Sequence, residues 1–178
     1  QKGKKPFKPI IGCELYVASG AKEDKKLGKH CKGYRLTVLA KNYQGYKNLI
    51  KIVSNSWTDG FYMRPRTDHH DLEKYHEGII VLSGGIGSEV YSHVVSDDIA
   101  GLDATIKWYK QTFGVDYYLE LQRCADFDLK SDTPSDLMLE QQRVSAVLIQ
   151  KSKEYGVKVV ATNDVHYVAT TDAKAYNV

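Results

Sequence analysis

Asn163-Asp164-Val165-His166 is the sharpest chemical signal in the sequence. An Asp-x-His pair offers a hard oxygen and a borderline nitrogen to one divalent metal or to neighbouring ions, but a metal site takes three or four ligands. The same residues equally suit an aspartate that caps a turn and a histidine satisfied by hydrogen bonds. Glu14 and Glu120 are acids embedded in otherwise apolar stretches, Ile10–Ala18 and Tyr117–Gln122. A carboxylate buried without a partner costs several kcal/mol, so each must face a polar cavity, a cation or solvent. Gly84-Gly85-Ile86-Gly87-Ser88 could cradle phosphate with unpaired backbone N–H groups. It lacks the Lys-Ser/Thr pair of a P-loop and the spacing of a dinucleotide fingerprint, which leaves a tight turn as the simpler reading. Asp68-His69-His70-Asp71 holds metal-capable side chains, but adjacent residues diverge, so this run reads as surface and helix cap. Trp57, Tyr62, Arg64 and Arg66 could form an aromatic and basic patch for phosphate or partner contact, or simply a packed loop.

These residues are carried by elements that the apolar pattern makes visible. Strands are expected at Ile10–Ala18, Arg35–Ala40, Gly78–Ser83, Tyr117–Gln122 and Val157–Thr162, five in all. Helices are expected at Tyr43–Asn55, where Tyr46, Leu49, Ile50 and Val53 share a face, at Asp97–Phe113, and at Asp136–Tyr155. Asp68 or Asp71 can cap a short helix toward Tyr75, while Gly114 and Gly156 stand where left-handed caps end helices. The Lys-rich stretch Ser19–Gly33 and the polar Asp126–Pro134 read as exposed loops. Alternation of strand and helix predicts a parallel sheet with crossover helices, whose closed form is a TIM-like barrel. Asp164 and His166 then fall just past a strand's carboxyl end, where such folds bind ligands.

Composition bounds the function class. The chain has 178 residues, 42% hydrophobic and 26% charged, which suits one globular domain rather than two. Apolar runs fall short of the roughly 20 residues of a membrane span, and the basic start of the sequence lacks a signal peptide's apolar stretch. A net charge of +3 is too small to mark a nucleic-acid binder by itself. Cys13, Cys31 and Cys124 form neither a disulfide framework nor a thiolate zinc site and fit a reducing, cytoplasmic setting. Only Cys31 has a histidine beside it in sequence, His30, and adjacency alone does not argue for a catalytic thiol.

Taken in order, Lys8–Val17, Leu36–Asn42 with Gly45–Leu49, Gly60–Tyr62 with Pro65-Arg66, Glu77–Gly84, Tyr118–Gln122 and Val160–Tyr167 make the chain resemble the PHP (polymerase and histidinol phosphatase) domain of bacterial replicative DNA polymerase alpha subunits. The resemblance implies a distorted TIM-like barrel at the amino-terminal end of a longer polymerase. Residues 1–178 would be a single PHP domain fragment lacking its first strand and its carboxyl-terminal continuation. Active members hold zinc or manganese-like ions and hydrolyse phosphoesters, some as 3′-5′ proofreading exonucleases. Glu14, Asp164 and His166 match metal-ligand positions, and the family's opening His-x-His would precede Gln1. Two departures stand at that site. Arg35 replaces a histidine ligand and Gly85 a cysteine. Arginine keeps its charge and repels a cation, and glycine offers no donor. Tyr176-Asn177 also departs from the family's His-Asp.

The resemblance therefore implies a vestigial metal site and no catalytic residue in this chain, with Arg35 free to pair with Glu14 or Asp164. It implies a scaffold for the polymerase, whose magnesium sites lie elsewhere, and a docking surface for the proofreading exonuclease subunit. DNA would be met through the parent protein. The alternative is a working metal-dependent phosphoesterase.

Overall fold

The computed structural model describes residues 7–25, 33–123, 135–166, 168, 169 and 172. Their order is β1 (Gly12–Val17), β2 (Tyr34–Ala40), α1 (Tyr43–Thr58), α2 (His69–Lys74), β3 (Ile79–Leu82), α3 (Glu89–Val95), α4 (Ile99–Phe113), a 3-10 turn (Gly114–Asp116), β4 (Tyr117–Gln122), α5 (Asp136–Tyr155) and β5 (Lys158–Thr162). All five expected strands are present, and β4 and α5 have the expected bounds. Helix α3, which the sequence pattern did not separate from the preceding glycine turn, is an addition.

Every helix begins on a short polar side chain that accepts a backbone N–H three residues on. Asn42 serves Gly45, Asp68 serves Asp71, Ser88 serves Tyr91, Asp98 serves Gly101 and Ser135 serves Met138. Such caps satisfy donors that the helix cannot pair internally. Gly156 ends α5 in the left-handed conformation, as its position predicted. Gly114 differs: φ is +57°, but ψ is −122°, outside the left-handed helical well.

The strands form one five-stranded sheet in the order β1-β2-β3-β4-β5. The expectation of parallel strands throughout is corrected, because β2 runs antiparallel to both β1 and β3. Only β3-β4 and β4-β5 are parallel, with α3 and α4 spanning the first connection and α5 the second. Strand direction is set by pairing partners rather than by a strand's own composition, so alternation alone could not reveal the reversed strand. The sheet is open across the described residues; a closed barrel is not seen.

All helices cover one face. Leu15, Val17, Leu36, Val38, Ile79, Val81, Tyr117 and Leu119 from the strands pack with Leu49, Ile52, Val90, Leu102, Ile106, Tyr109, Val144 and Leu148 in a single core. Ile52 rather than the expected Ile50 lies in the core, since α1 turns Gly45, Asn48, Leu49, Ile52 and Ser56 inward. The opposite face mixes polar and apolar side chains: the row Glu14, Thr37, Leu82, Tyr118, Lys158 crosses it by direct register, and alternation adds Leu39, Ile80 and Val160. Among the described residues no helix is long and apolar enough to cross a membrane.

The stretch expected as an exposed loop after β1 is anchored where it is described. Ala18 donates its N–H to Thr67 O, Thr67 donates to Tyr16 O, and Lys22 is buried beneath α2. Its ammonium lies 3.3 Å from Asp71, 3.9 Å from Asp68 and 3.2 Å from Glu23. Asp68 and Asp71 are therefore buried ion partners, not surface groups, although Asp68 does cap α2 as expected. Arg66 is also buried, donating to the carbonyls of Gly60, Lys22 and Asp24. It cannot contribute a free charge to the patch considered with Trp57. Cys13 is a half-buried free thiol; Cys31, Cys124, the Asp126–Pro134 loop and Tyr176-Asn177 lie outside the described residues.

Candidate metal centre at the strand rim

Because β2 is reversed, its first residues reach the same rim as the last residues of the other four strands. That rim gathers Arg35, the turn following β3, the end of β4 and the segment following β5. Arg35 lies opposite Tyr16, and Glu14 opposite Thr37, so Glu14 and Arg35 are diagonal neighbours on the face away from the helices. Arg35 Nε stands 3.8 Å from Glu14 Oε1, with both side chains about half exposed. Solvent screening makes the pair worth little as stability, about 0–1 kcal/mol. Its electrostatic effect is local: the carboxylate that could draw a cation already faces a fixed guanidinium charge.

The turn Gly84–Gly87 closes over Arg35. Arg35 N donates to Gly87 O at 3.0 Å. Gly84 and Gly87 have φ of +82° and +84°, which glycine alone adopts without strain. From the other side β4 holds the turn: Glu120 accepts the Gly84 N–H at 3.1 Å and Thr162 Oγ1 donates to its second oxygen. Ser83 Oγ accepts the Glu120 N–H at 2.9 Å. Glu120 is thus a buried structural acceptor tying β3, β4 and β5 together, which settles the question its sequence position raised. The turn itself acts as a packed connection, its backbone donors at Gly84 and Ile86 already taken by side chains.

Gly85 faces Gln122. A β-carbon at position 85 would lie 1.8 Å from Gln122 Oε1 and 2.8 Å from Gln122 Cβ. The carboxamide in turn accepts the Ile86 N–H at 3.1 Å. Any side chain at 85 must expel Gln122 and forfeit that hydrogen bond. Gly85→Cys is therefore expected to lower stability by about 1–3 kcal/mol, with Gln122→Ala in the same chain recovering part of the loss. Thermal melts of the single and double variants check this; an unaffected single variant would show that the two side chains do not compete. Gln122 is the site residue that sequence reasoning missed, and its only signal was its place two residues beyond Glu120 on the same strand.

Asp164 and His166 follow β5 as expected, and both are exposed. His166 Nδ1 lies 2.8 Å from Asp164 O and 3.7 Å from Asp164 Oδ1, a local turn contact. Glu14 is carried by β1, at the opposite end of the strand order from β5, so the two halves are four strand spacings apart, roughly 19 Å along a flat sheet. The structure brings Glu14 to Arg35 and Asp164 to His166, but does not join the pairs. Among the described residues no three His, Cys, Asp or Glu side chains are placed to share an ion. Glu14, Asp164 and His166 are thus not gathered into one donor set by the described residues alone.

A cleft of about 310 Å³ lies on the helix-covered side of the rim, bordered by Ala18–Ala21, Asp68, His69, His70 and Glu89. His69 stacks on Trp108 at 3.9 Å and approaches Glu89 at 3.4 Å, whereas Asp68 and Asp71 turn to Lys22. Adjacent Asp68 and His69 thus point apart as expected, while Asp68 and Asp71, three residues apart, converge on one lysine. Burial, reinforced by the Glu89 carboxylate, raises the pKa values of Tyr34, Tyr109 and Tyr117 above the usual phenol range. These hydroxyls stay neutral and belong to the packing around Glu89.

Comparison with known proteins identifies the family. The PHP domain family matches residues 1–124. The chain is 42% identical over 175 residues to a protein of Borreliella burgdorferi named DNA polymerase III subunit alpha, covering 97% of this chain and 14% of that protein. Proteins of the same name from Thermus aquaticus and Deinococcus radiodurans are 36% and 38% identical over 173 residues, covering 96% and 95% of the chain and 13% and 12% of their own lengths. The chain thus spans a small part of the relatives it matches. By this match over residues 1–124 the chain belongs to the PHP domain family.

Proposed function

We propose that the chain is the PHP portion of a cytoplasmic replicative DNA polymerase III alpha subunit and serves there as a scaffold whose metal site has been lost. The polymerase assignment is supported by relatives of that name that match along almost the whole chain. The observation that carries the scaffold reading is the half-exposed Arg35–Glu14 pair at the rim. A guanidinium stands where active members place a histidine, beside the one carboxylate of β1 that would bind an ion. Gln122 filling the space at Gly85 supports the same reading. On this reading the nucleotidyl-transfer chemistry, with its magnesium, lies in other parts of the polymerase, and this chain contributes no catalytic residue. Partners are the rest of the alpha subunit, DNA through that protein, and the proofreading exonuclease subunit on the PHP surface.

The full-length protein, purified without chelator and offered zinc and manganese, is expected to retain less than one tightly held equivalent, and Asp164→Asn is expected to change nothing. Two or more ions, released by Asp164→Asn or His166→Ala, would defeat the scaffold reading and establish the phosphoesterase alternative. Primer extension by the same preparation tests the polymerase assignment separately.

A further inference from the structure

Helix α1 carries Lys47 and Lys51 and no acidic residue; Asp59 at its C-cap is the nearest following acid. With its buried face set by Gly45, Asn48, Leu49, Ile52 and Ser56, the opposite stripe runs Tyr43, Lys47, Ile50, Ser54, Trp57 at helical spacing. Tyr43 is 72% exposed and Trp57 58%, high values for large rings. Tyr46 lies beside Tyr43 with ring centroids 6.5 Å apart, and Lys47 sits over the Tyr43 ring at 4.7 Å. At the other end Trp57 stacks on Phe61 at 5.6 Å, and Phe61 is itself 44% exposed. The two aromatic groups are about 21 Å apart along the helix.

We propose that this stripe is a binding track for single-stranded DNA, with bases stacking on Tyr43 and on the Trp57–Phe61 pair and phosphates meeting Lys47 and Lys51. Exposed rings at both ends, with Lys47 in the stripe, Lys51 beside it over the Tyr75 ring at 5.4 Å and no carboxylate on the helix, supply the stacking faces and the charge that single-strand platforms combine. The core of a protein–protein contact is instead depleted in lysine, whereas here Lys47 lies within the stripe, between Tyr43 and Ile50. The inference goes beyond the scaffold reading and rests on the polymerase assignment only for the source of the strand.

The test uses the full-length protein with an oligonucleotide carrying 5-iodouracil, crosslinked by light and mapped by mass spectrometry. Adducts are expected on Tyr43, Trp57 or Phe61. Trp57→Ala/Phe61→Ala is expected to lower the yield at Tyr43 about tenfold, in line with the loss of one stacked base. Lys47→Glu/Lys51→Glu is expected to flatten the salt dependence by about 1.4 in log–log slope, the value for two phosphates on a single strand. Hydroxyl-radical footprinting is expected to find Trp57 reactive before DNA is added and protected after. If the protein extends primers yet gives no adduct on this helix, the track is disproved while the polymerase reading stands; failure to extend primers counts against that reading instead. Protection of Trp57 in the absence of DNA would show the stripe packed against the rest of the polypeptide and would also overturn the proposal.

Discussion

Gly45→Ala is expected to destabilise the protein by about 2–3 kcal/mol, against the sign that helix propensity predicts. Alanine in place of glycine inside a helix ordinarily stabilises it by about 1 kcal/mol. Here the added β-carbon would lie 1.7 Å from Gly78 O and 2.5 Å from Gly78 C, and both are backbone atoms that no rotamer change can move. Gly78 has φ of +72° and is fixed on both sides, its carbonyl accepting the Lys41 N–H and the Glu77 carbonyl accepting Asn48 Nδ2. Relief requires lifting the first turn of α1 off the start of β3. Thermal unfolding gives the sign directly, and amide exchange should quicken in β2 and β3. A Gly45→Ala variant more stable than the parent would show that α1 and β3 do not approach so closely.

That contact illustrates what the sequence could reveal. Strands were legible because Ile79–Leu82 and Tyr117–Gln122 are compact apolar runs, and α1, α4 and α5 because their apolar residues recur at helical spacing; α2 was signalled by Asp68, and the short α3 after Ser88 was not legible. The reversed β2 was not legible, since Arg35–Ala40 would read identically in either direction. Burial of Lys22 was hidden for a related reason: a run of mixed charges reads as solvated, and its partners Asp68 and Asp71 lie 46 or more residues away. At the site, the departures at Arg35 and Gly85 could be read from motifs, and the pairing of Arg35 with Glu14 rather than Asp164 needed the β1–β2 register. Gln122 became meaningful only when β4 was placed beside the turn that follows β3.

Lys22→Met is expected to cost about 3–5 kcal/mol, the penalty for removing one member of a buried ionic group. The substitution keeps the side chain's length and leaves Asp68 and Asp71, both less than a tenth exposed, without their cation. Asp68 retains the backbone N–H groups of Lys22 and Asp71, at 3.0 and 2.9 Å, and Asp71 retains Asn55 Nδ2 at 3.1 Å, so the loss is one of charge balance more than of hydrogen bonds. Lys22→Met/Asp71→Asn should therefore be more stable than Lys22→Met alone, a non-additivity read from denaturant melts. Additive losses would mean that the groups act independently. Burial by itself would lower the Lys22 pKa, but Glu23, Asp68 and Asp71 outweigh it and the value rises above the ordinary 10.5. Its contribution is accordingly complete below pH 10.5 and fades only as the pH climbs through the raised value.

The reversed strand also bears on the order in which the sheet assembles. In β1–β2, Val17 meets Tyr34 and Gly12 meets Leu39, whereas Thr37 must find Leu82 and Tyr118 must find Lys158. Closing the shorter loop loses less chain entropy, and pairings of low sequence separation form sooner. The β1–β2 ribbon is thus the natural nucleus, and in pulse-labelled refolding its amides should gain protection ahead of those in β4 and β5. The rim pair Glu14–Arg35 would then be in place before the turn that covers it has closed.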